Sequence, residues 1–298
     1  MKKNLVLTIL TRYTYRKIEP FFRTLRQTGY DGDVVVFYDE VDDATINSIK
    51  KWGVKLIHFN SAKFKKQDIK IVHYRFQLFY DFLKSNYKNY NYVLICDIRD
   101  LVFQKNPFDY NKFLKINYFC ENKKIKDCKI NSYILVRSGG EAALKKYGDN
   151  LISCAGTTIG DSKTILDYLK LMSKNIVSGN PIDQGQHNFF LYSGKFPFSK
   201  CFHNFEGPVL TVSGLKTGQL KFNPDSQVVD KEGFVINIVH QYDRDPVLFK
   251  KFNLPRYYYI NFLEAKYILF KRGVKKMLFK TPLGGYFKRK YYNPSEFR

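Results

Sequence analysis

The sequence predicts an α/β fold, a mixed and mostly parallel sheet flanked by helices, and three observations carry that expectation. Short runs rich in β-branched and other apolar residues recur through the first hundred positions. Stretches with apolar residues at helical spacing separate them, so strands alternate with helices and return parallel. Each apolar run ends in polar residues, and open sheets of this kind bind ligands beyond the carboxyl ends of their strands.

The first strand is expected over Leu5–Leu10. Its two preceding lysines give it a passing likeness to a signal peptide, but the apolar run is too short and passes at once into Thr11 and Arg12. Ile18, Phe21, Phe22 and Leu25 follow at helical spacing, and the helix is expected to stop at Gly29. Val34–Tyr38 reads as a second strand, 43–52 as a second helix and 54–59 as a third strand. "IVHYRFQLFYDFLKSN", 71–86, reads as a long amphipathic helix leading to a fourth strand over Tyr92–Cys96. In the second half, "NSYILVRSGG", "CAGTTIGD" and "FVINIVHQYDRDP" read as strand and loop segments, with helices near 162–173 and 183–192. Residues 1–245 are expected to form one domain and 246–298 a basic, aromatic-rich tail with a helix over about 260–280.

The 298 residues are 44% hydrophobic, enough for a sizeable core. With 50 Lys and Arg against 27 Asp and Glu, the formal charge of +23 selects anionic partners such as nucleotides, phospholipid headgroups, nucleic acid or acidic glycans. The tail from Pro246 onward holds 13 Lys or Arg and only two acids, with aromatic residues interleaved, which suits contact with an anionic membrane or packing on the domain. No run of about 18 apolar residues is present, so no membrane span is expected. The five cysteines, none in a C-x-x-C pair, read as reduced thiols of a cytoplasmic protein. No G-x-G-x-x-G follows the first strand and no G-x-x-x-x-G-K-[ST] occurs, which argues against a dinucleotide dehydrogenase or a P-loop enzyme.

The densest polar insertion is in "YVLICDIRDLVFQKNPF", where a buried strand meets Asp97, Arg99 and Asp100 before apolar residues resume. Such acids are costly at a strand end unless something pairs with them. The alternatives are a structural ion pair and a divalent metal site.

This segment and three others resemble glycosyltransferases of the GT-A fold. Asp97 to Asp100 resembles their acidic metal-binding motif, with Arg99 where the second acid usually stands, a pattern closer to capsule and viral transferases with Asp-x-Arg-Asp. "CAGTTIGD" resembles the segment lining the donor sugar, "DQGQHNFF" the Asp-Gln segment beside the reacting carbon, and "VINIVHQY" the strand-end histidine of the metal site in glycogenin-like enzymes. The resemblance implies a Rossmann-like nucleotide-binding sheet and a Mn²⁺ or Mg²⁺ ion on Asp97, Asp100 and His240. It implies a nucleotide-sugar donor held by Thr11, Arg12, Tyr13, Asp39, Arg75, Asp97, Arg99, Gly156 and Thr157, and catalysis by Asp183 and Gln184. The expected acceptor is a glycan or a lipid-linked oligosaccharide, met at the inner face of a membrane. The competing expectations are a basic nucleic-acid-binding protein, for which no recognised module is present, and an inactive carbohydrate-binding relative.

Overall fold

The computed structural model describes residues 2–257, apart from 177, 178, 180, 181 and 217. The chain divides into two units after Leu248, and the predicted tail helix lies outside the described residues.

The elements are β1 (Lys3–Thr11), α1 (Tyr15–Gln27), β2 (Asp33–Asp39), α2 (Asp43–Lys50), β3 (Lys55–His58), α3 (Ala62–Lys65), α4 (Ile71–Asn86), β4 (Tyr90–Cys96), β5 (Leu101–Phe103), β6 (Ile116–Lys124), α5 (Lys129–Tyr147) and β7 (Leu151–Asp161). They continue with α6 (Ser162–Lys174), α7 (Asp183–Tyr192), β8 (Ser199–Phe202), β9 (Val209–Thr211), β10 (Lys221–Phe222), β11 (Val228–Val229), β12 (Ile238–His240) and α8 (Pro246–Tyr257).

Seven strands form the main sheet in the order β3-β2-β1-β4-β7-β6-β8. The first four are mutually parallel, β7 runs antiparallel to both β4 and β6, and β8 is parallel to β6. The expected mixed, mostly parallel sheet is therefore present, and the chain reverses its direction of travel across the sheet between β1 and β4. A second, three-stranded sheet has the order β5-β12-β9.

Side chains alternate across the pleat and build two cores. Leu5, Leu7, Val93 and Ile95 face Phe76, Phe79 and Leu83 of α4 and Ile165 and Leu169 of α6. Val6, Leu10, Leu94 and Cys96 turn the other way, onto Ile18, Phe21, Phe22 and Leu25 of α1. The helical spacing in α1 and α4 thus reports real buried faces. Two helices begin with side-chain caps: Asp42 accepts from the Thr45 N–H at 2.7 Å and Asp161 from the Thr164 N–H at 2.9 Å.

One expectation is overturned. Residues 131–140, read as strand and loop, lie in α5, whose path breaks at Gly140 (φ 77°). Packing against α7 decides this: Gly139 sits so close to the Phe189 ring that a Cβ there would stand 2.5 Å from it. The strand expected in "FVINIVHQYDRDP" is limited to Ile238–His240. All five cysteines are free thiols. Among the described residues, no helix is long and apolar enough to cross a membrane.

Candidate metal centre

Asp97 is the first residue past β4. Cys96 pairs with Thr157 of β7, and the Asp97 N–H donates to Gly156 O at 2.9 Å, so Asp97 and Gly156 face each other at the sheet edge. Ile98 is buried and anchors the bend, and β5 then begins at Leu101 directly opposite His240 of β12. That register sets Asp100 beside Gln241. The N–H groups of Gln241 and Tyr242 both donate to Asp100 O, the latter at 3.2 Å, and Gln241 takes a left-handed conformation (φ 60°) to do so.

Three side chains converge as a result. His240 Nε2 is 3.6 Å from Asp97 Oδ2 and 3.7 Å from Asp100 Oδ1, and one ligand atom from each of the three lies within 4.8 Å of the others. Two atoms bound to one Mg²⁺ or Mn²⁺ at about 2.1 Å stand roughly 3 to 4 Å apart, so the spacing suits a shared ion. The donor chemistry fits as well: two carboxylates favour a hard divalent cation, and an imidazole tilts the choice toward Mn²⁺. His240 is completely buried, and among the described residues neither ring nitrogen has a hydrogen-bond partner, a costly state for an imidazole with no ion to bind. Gly156 supplies the room, since a Cβ there would stand 2.5 Å from Asp97 Oδ2 and 2.7 Å from His240 Cε1.

The electrostatics separate the two acids. Burial works against an ionised Asp97, but Arg75 and His240 outweigh it and hold this carboxyl well below the usual range. Burial pushes the Asp100 carboxyl up, only partly opposed by His240 and Arg99. Burial disfavours the His240 imidazolium, and Cys154, Asp97 and Asp100 together more than reverse that. A cation entering here displaces protons from groups that share them.

Two arginines brace the acids, Arg75 buried and Arg99 partly exposed. Arg75, 5% exposed, pairs through Nη1 with Asp97 and through Nη2 with Asp183 at 3.5 Å, and it also donates to Ala155 O at 3.3 Å. Arg99 turns inward: Nη2 donates to Asp100 Oδ2 and Nη1 to Asp243 Oδ2, each at 2.7 Å. Arg99 was expected either to hold these carboxylates or to face the donor, and Arg75 either to meet the diphosphate or to lie on the helix surface; both have carboxylate partners within the protein.

The remaining expected residues divide. Asp183 heads α7 beside Arg75, while the capping position belongs to Ile182. Tyr13 is brought to the cluster: its phenol is raised first by burial and lies in the fields of Arg99, Asp100, Asp97 and Asp243. Thr11 ends β1 opposite Asp39, and Arg12 pairs with Glu40. The Asp39 carboxylate accepts from the Ser61 N–H at 2.7 Å and has His58 at 3.4 Å. Thr157 is buried and, by strand alternation, points to the face opposite Gly156. Gln184 donates to Asn131 Oδ1 at 2.9 Å, which ties α7 to α5.

Sequence reasoning missed Asp243, although it lies in a quoted segment, and it missed Cys154, whose thiol adjoins His240 and accepts from Gln241 Nε2 at 3.7 Å. The alternation of "CAGT" puts Cys154 and Gly156 on one face and was a usable signal for the latter.

Together these features define an α/β protein with a candidate divalent-metal centre at the carboxyl edge of its sheet, beside the β1/β4 reversal. The chain matches no protein-family model and no curated protein sequence.

Proposed function

We infer that the protein is a metal-assisted glycosyltransferase, which moves a sugar from a nucleoside diphosphate donor to a hydroxyl of a glycan or lipid-linked oligosaccharide. The observation that carries this reading is the convergence of Asp97, Asp100 and His240 beside the β1/β4 reversal, where open α/β sheets leave a crevice for nucleotides. A Mn²⁺ or Mg²⁺ ion held there supplies Lewis-acid stabilisation of a departing diphosphate.

The chain's own residues have separate tasks in this reading. Asp97, Asp100 and His240 hold the ion, and Arg99 keeps the Asp100 carboxylate aimed at it. Thr11, Arg12 and Tyr13, where β1 ends, border the nucleoside, and Gly156 lets backbone approach the sugar without a side chain between them. Arg75 ties Asp97 to Asp183, so the donor side and the acceptor side share one guanidinium. Asp183 takes the proton of the acceptor hydroxyl in an inverting reaction, or faces the developing positive charge on the anomeric carbon in a retaining one. The surplus of positive charge in the tail suits a peripheral position on the inner face of a membrane, where a lipid-linked acceptor is presented.

The test is thermal unfolding against a panel of nucleoside diphosphates with and without Mn²⁺. A ligand at a hundred times its Kd stabilises by about 2.7 kcal/mol, so one nucleotide raising the midpoint only with metal identifies the donor's base. No shift at millimolar concentrations, together with salt-sensitive binding to polynucleotide, would replace this reading with the nucleic-acid one. Metal-dependent binding without any release of nucleoside diphosphate from the matching sugar nucleotides would leave an inactive binding protein.

A further inference from the structure

The main sheet ends on β8, a strand of four residues whose one neighbour in the sheet is β6. A short edge strand has half of its ladder unmade and is the part of a sheet that opens most easily. The chain enters it through Phe198, which takes a left-handed conformation (φ 58°) and is 67% exposed. The start of the strand is thus strained rather than anchored by a buried side chain.

Two sulfurs meet across this edge. Tyr118 stands opposite Cys201 in the parallel register, and Cys120, two residues further along β6, projects to the same face. Cys120 Sγ and Cys201 Sγ are 2.7 Å apart. That is only about 0.7 Å more than an S–S bond of roughly 2.0 Å, so little movement separates the two thiols from a disulfide. The other cysteines lie elsewhere: Cys96 packs in the core on the opposite face, Cys154 adjoins His240, and Cys128 accepts from Asn131 Nδ2 at 3.2 Å.

The two thiols also differ in access. Cys201 is partly exposed and Cys120 is buried. Contact with Cys201, and then burial, raise the Cys120 thiol, so Cys120 stays protonated while Cys201 is the sulfur that an oxidant reaches. We propose that Cys120 and Cys201 are a redox pair whose reversible disulfide ties the edge strand β8 to the body of the sheet. The oxidant is a small disulfide such as oxidised glutathione. Cys201 attacks one of its sulfurs, forming a mixed disulfide and releasing one glutathione thiol. Cys120 then attacks the Cys201 sulfur and gives its proton to the second departing glutathione, so two protein thiols are oxidised and one glutathione disulfide is reduced to two thiols.

The paired residues are 81 positions apart, and the chain between them carries Gly156 and Asp183. Closing that loop restricts the unfolded chain and stabilises the fold. The link also reaches α7, because the hydroxyl of its last residue, Tyr192, donates to Leu151 O and lies 3.9 Å from Cys120 Sγ. None of this depends on the transferase reading.

The test is incubation of the full chain with oxidised glutathione, followed by alkylation, intact mass, peptide mapping and thermal unfolding of the same samples. The monomer should lose about 2 Da as two thiols become one disulfide. Three of the five thiols should remain open to alkylation, and the Cys120 and Cys201 peptides should be joined. The thermal midpoint should rise by about 5–10 °C and return on reduction with dithiothreitol. Cys201→Ser, at a partly exposed position, and Cys120→Ala should each abolish both the mass loss and the rise, while Cys128→Ser should keep them. Five alkylated thiols after oxidation would overturn the proposal, as would glutathione left attached to Cys201, a link that includes another cysteine, or a disulfide between two chains. A Cys120–Cys201 disulfide that leaves the midpoint unchanged would overturn its role as a tie.

Discussion

Arg99 bridges Asp100 and Asp243, with one guanidinium nitrogen 2.7 Å from each carboxylate. The bridge joins the loop after β4 to the turn after β12, the two segments that carry the candidate metal ligands. Asp243→Asn keeps the shape of that turn and removes the charge that holds Arg99. Mn²⁺ affinity should fall by about 10- to 100-fold, the usual cost of losing a group that orients a metal ligand. Manganese titration followed by electron paramagnetic resonance reads this directly. Unchanged affinity would show that Asp100 needs no support from Arg99.

Gly156 is the clearest steric requirement of the site. Gly156→Ala introduces a Cβ 2.5 Å from Asp97 Oδ2 and 2.7 Å from His240 Cε1, well inside van der Waals contact. Both neighbours are short or buried side chains with little room to retreat. The expected outcome is a folded protein, destabilised by roughly 1–3 kcal/mol, that no longer responds to Mn²⁺ in thermal unfolding. Alanine at the outward-facing Lys163 is the matched control and should leave the response intact.

Arg75 is a stability residue as well as a link between two site acids. It is almost fully buried between Asp97 and Asp183, and its removal strands two carboxylates. Arg75→Met should cost about 3–5 kcal/mol in urea unfolding, the range for breaking a buried ion pair from one side. Arg75→Lys keeps the charge but not the fork that reaches both acids, and should lose less stability while still impairing turnover.

Turnover itself is the direct test of the cluster. Asp100→Ala and His240→Ala should each abolish release of nucleoside diphosphate from the donor while the protein stays folded by circular dichroism. Full activity in either variant would remove that residue from the metal site.

The first half of the fold was legible because its strands are short, apolar and separated by helices whose buried faces repeat at 3.6 residues, as Ile18, Phe21, Phe22 and Leu25 do. Asp97, Asp100 and His240 were legible by the same token, as polar residues at or just past the ends of apolar strands. The arm of α5 was not. Tyr133, Ile134, Leu135 and Val136 before two glycines have the local look of a strand and turn, and only the contact of Gly139 with Phe189, 50 positions further on, makes a helix of them. The role of Asp243 was invisible for a related reason. Its partner Arg99 is 144 residues away, and nothing local in "QYDRDP" sets it apart from Asp245. Arg75 was singled out by its position on α4, but its two acid partners, Asp97 and Asp183, were not legible, because they lie far from it in the sequence.

The last prediction concerns stability against pH, and it comes from a histidine outside the metal cluster. His187 of α7 is completely buried, with Nε2 2.8 Å from Ser153 Oγ of β7 and Nδ1 2.8 Å from Tyr168 Oη of α6, and with the Tyr118 ring of β6 packed at 4.9 Å. Burial, with a smaller contribution from the positive charge of Arg75, lowers its pKa to about 3 from 6.5. A histidine depressed in this way is neutral in the folded state, while the unfolded chain takes up a proton as soon as the pH falls below 6.5. Stability from this group is therefore complete above pH 6.5, is lost progressively on acidification, and stops falling only near pH 3. The slope in that window is roughly 1 kcal/mol per pH unit. His187→Gln keeps a hydrogen-bonding side chain without the titration, so its urea midpoint should change less between pH 7 and pH 4.5 than that of the unaltered protein, by about 2 kcal/mol once converted with a common m-value. Parallel curves for the two proteins would mean that His187 takes its proton in place, and that the Ser153 and Tyr168 contacts do not hold it neutral.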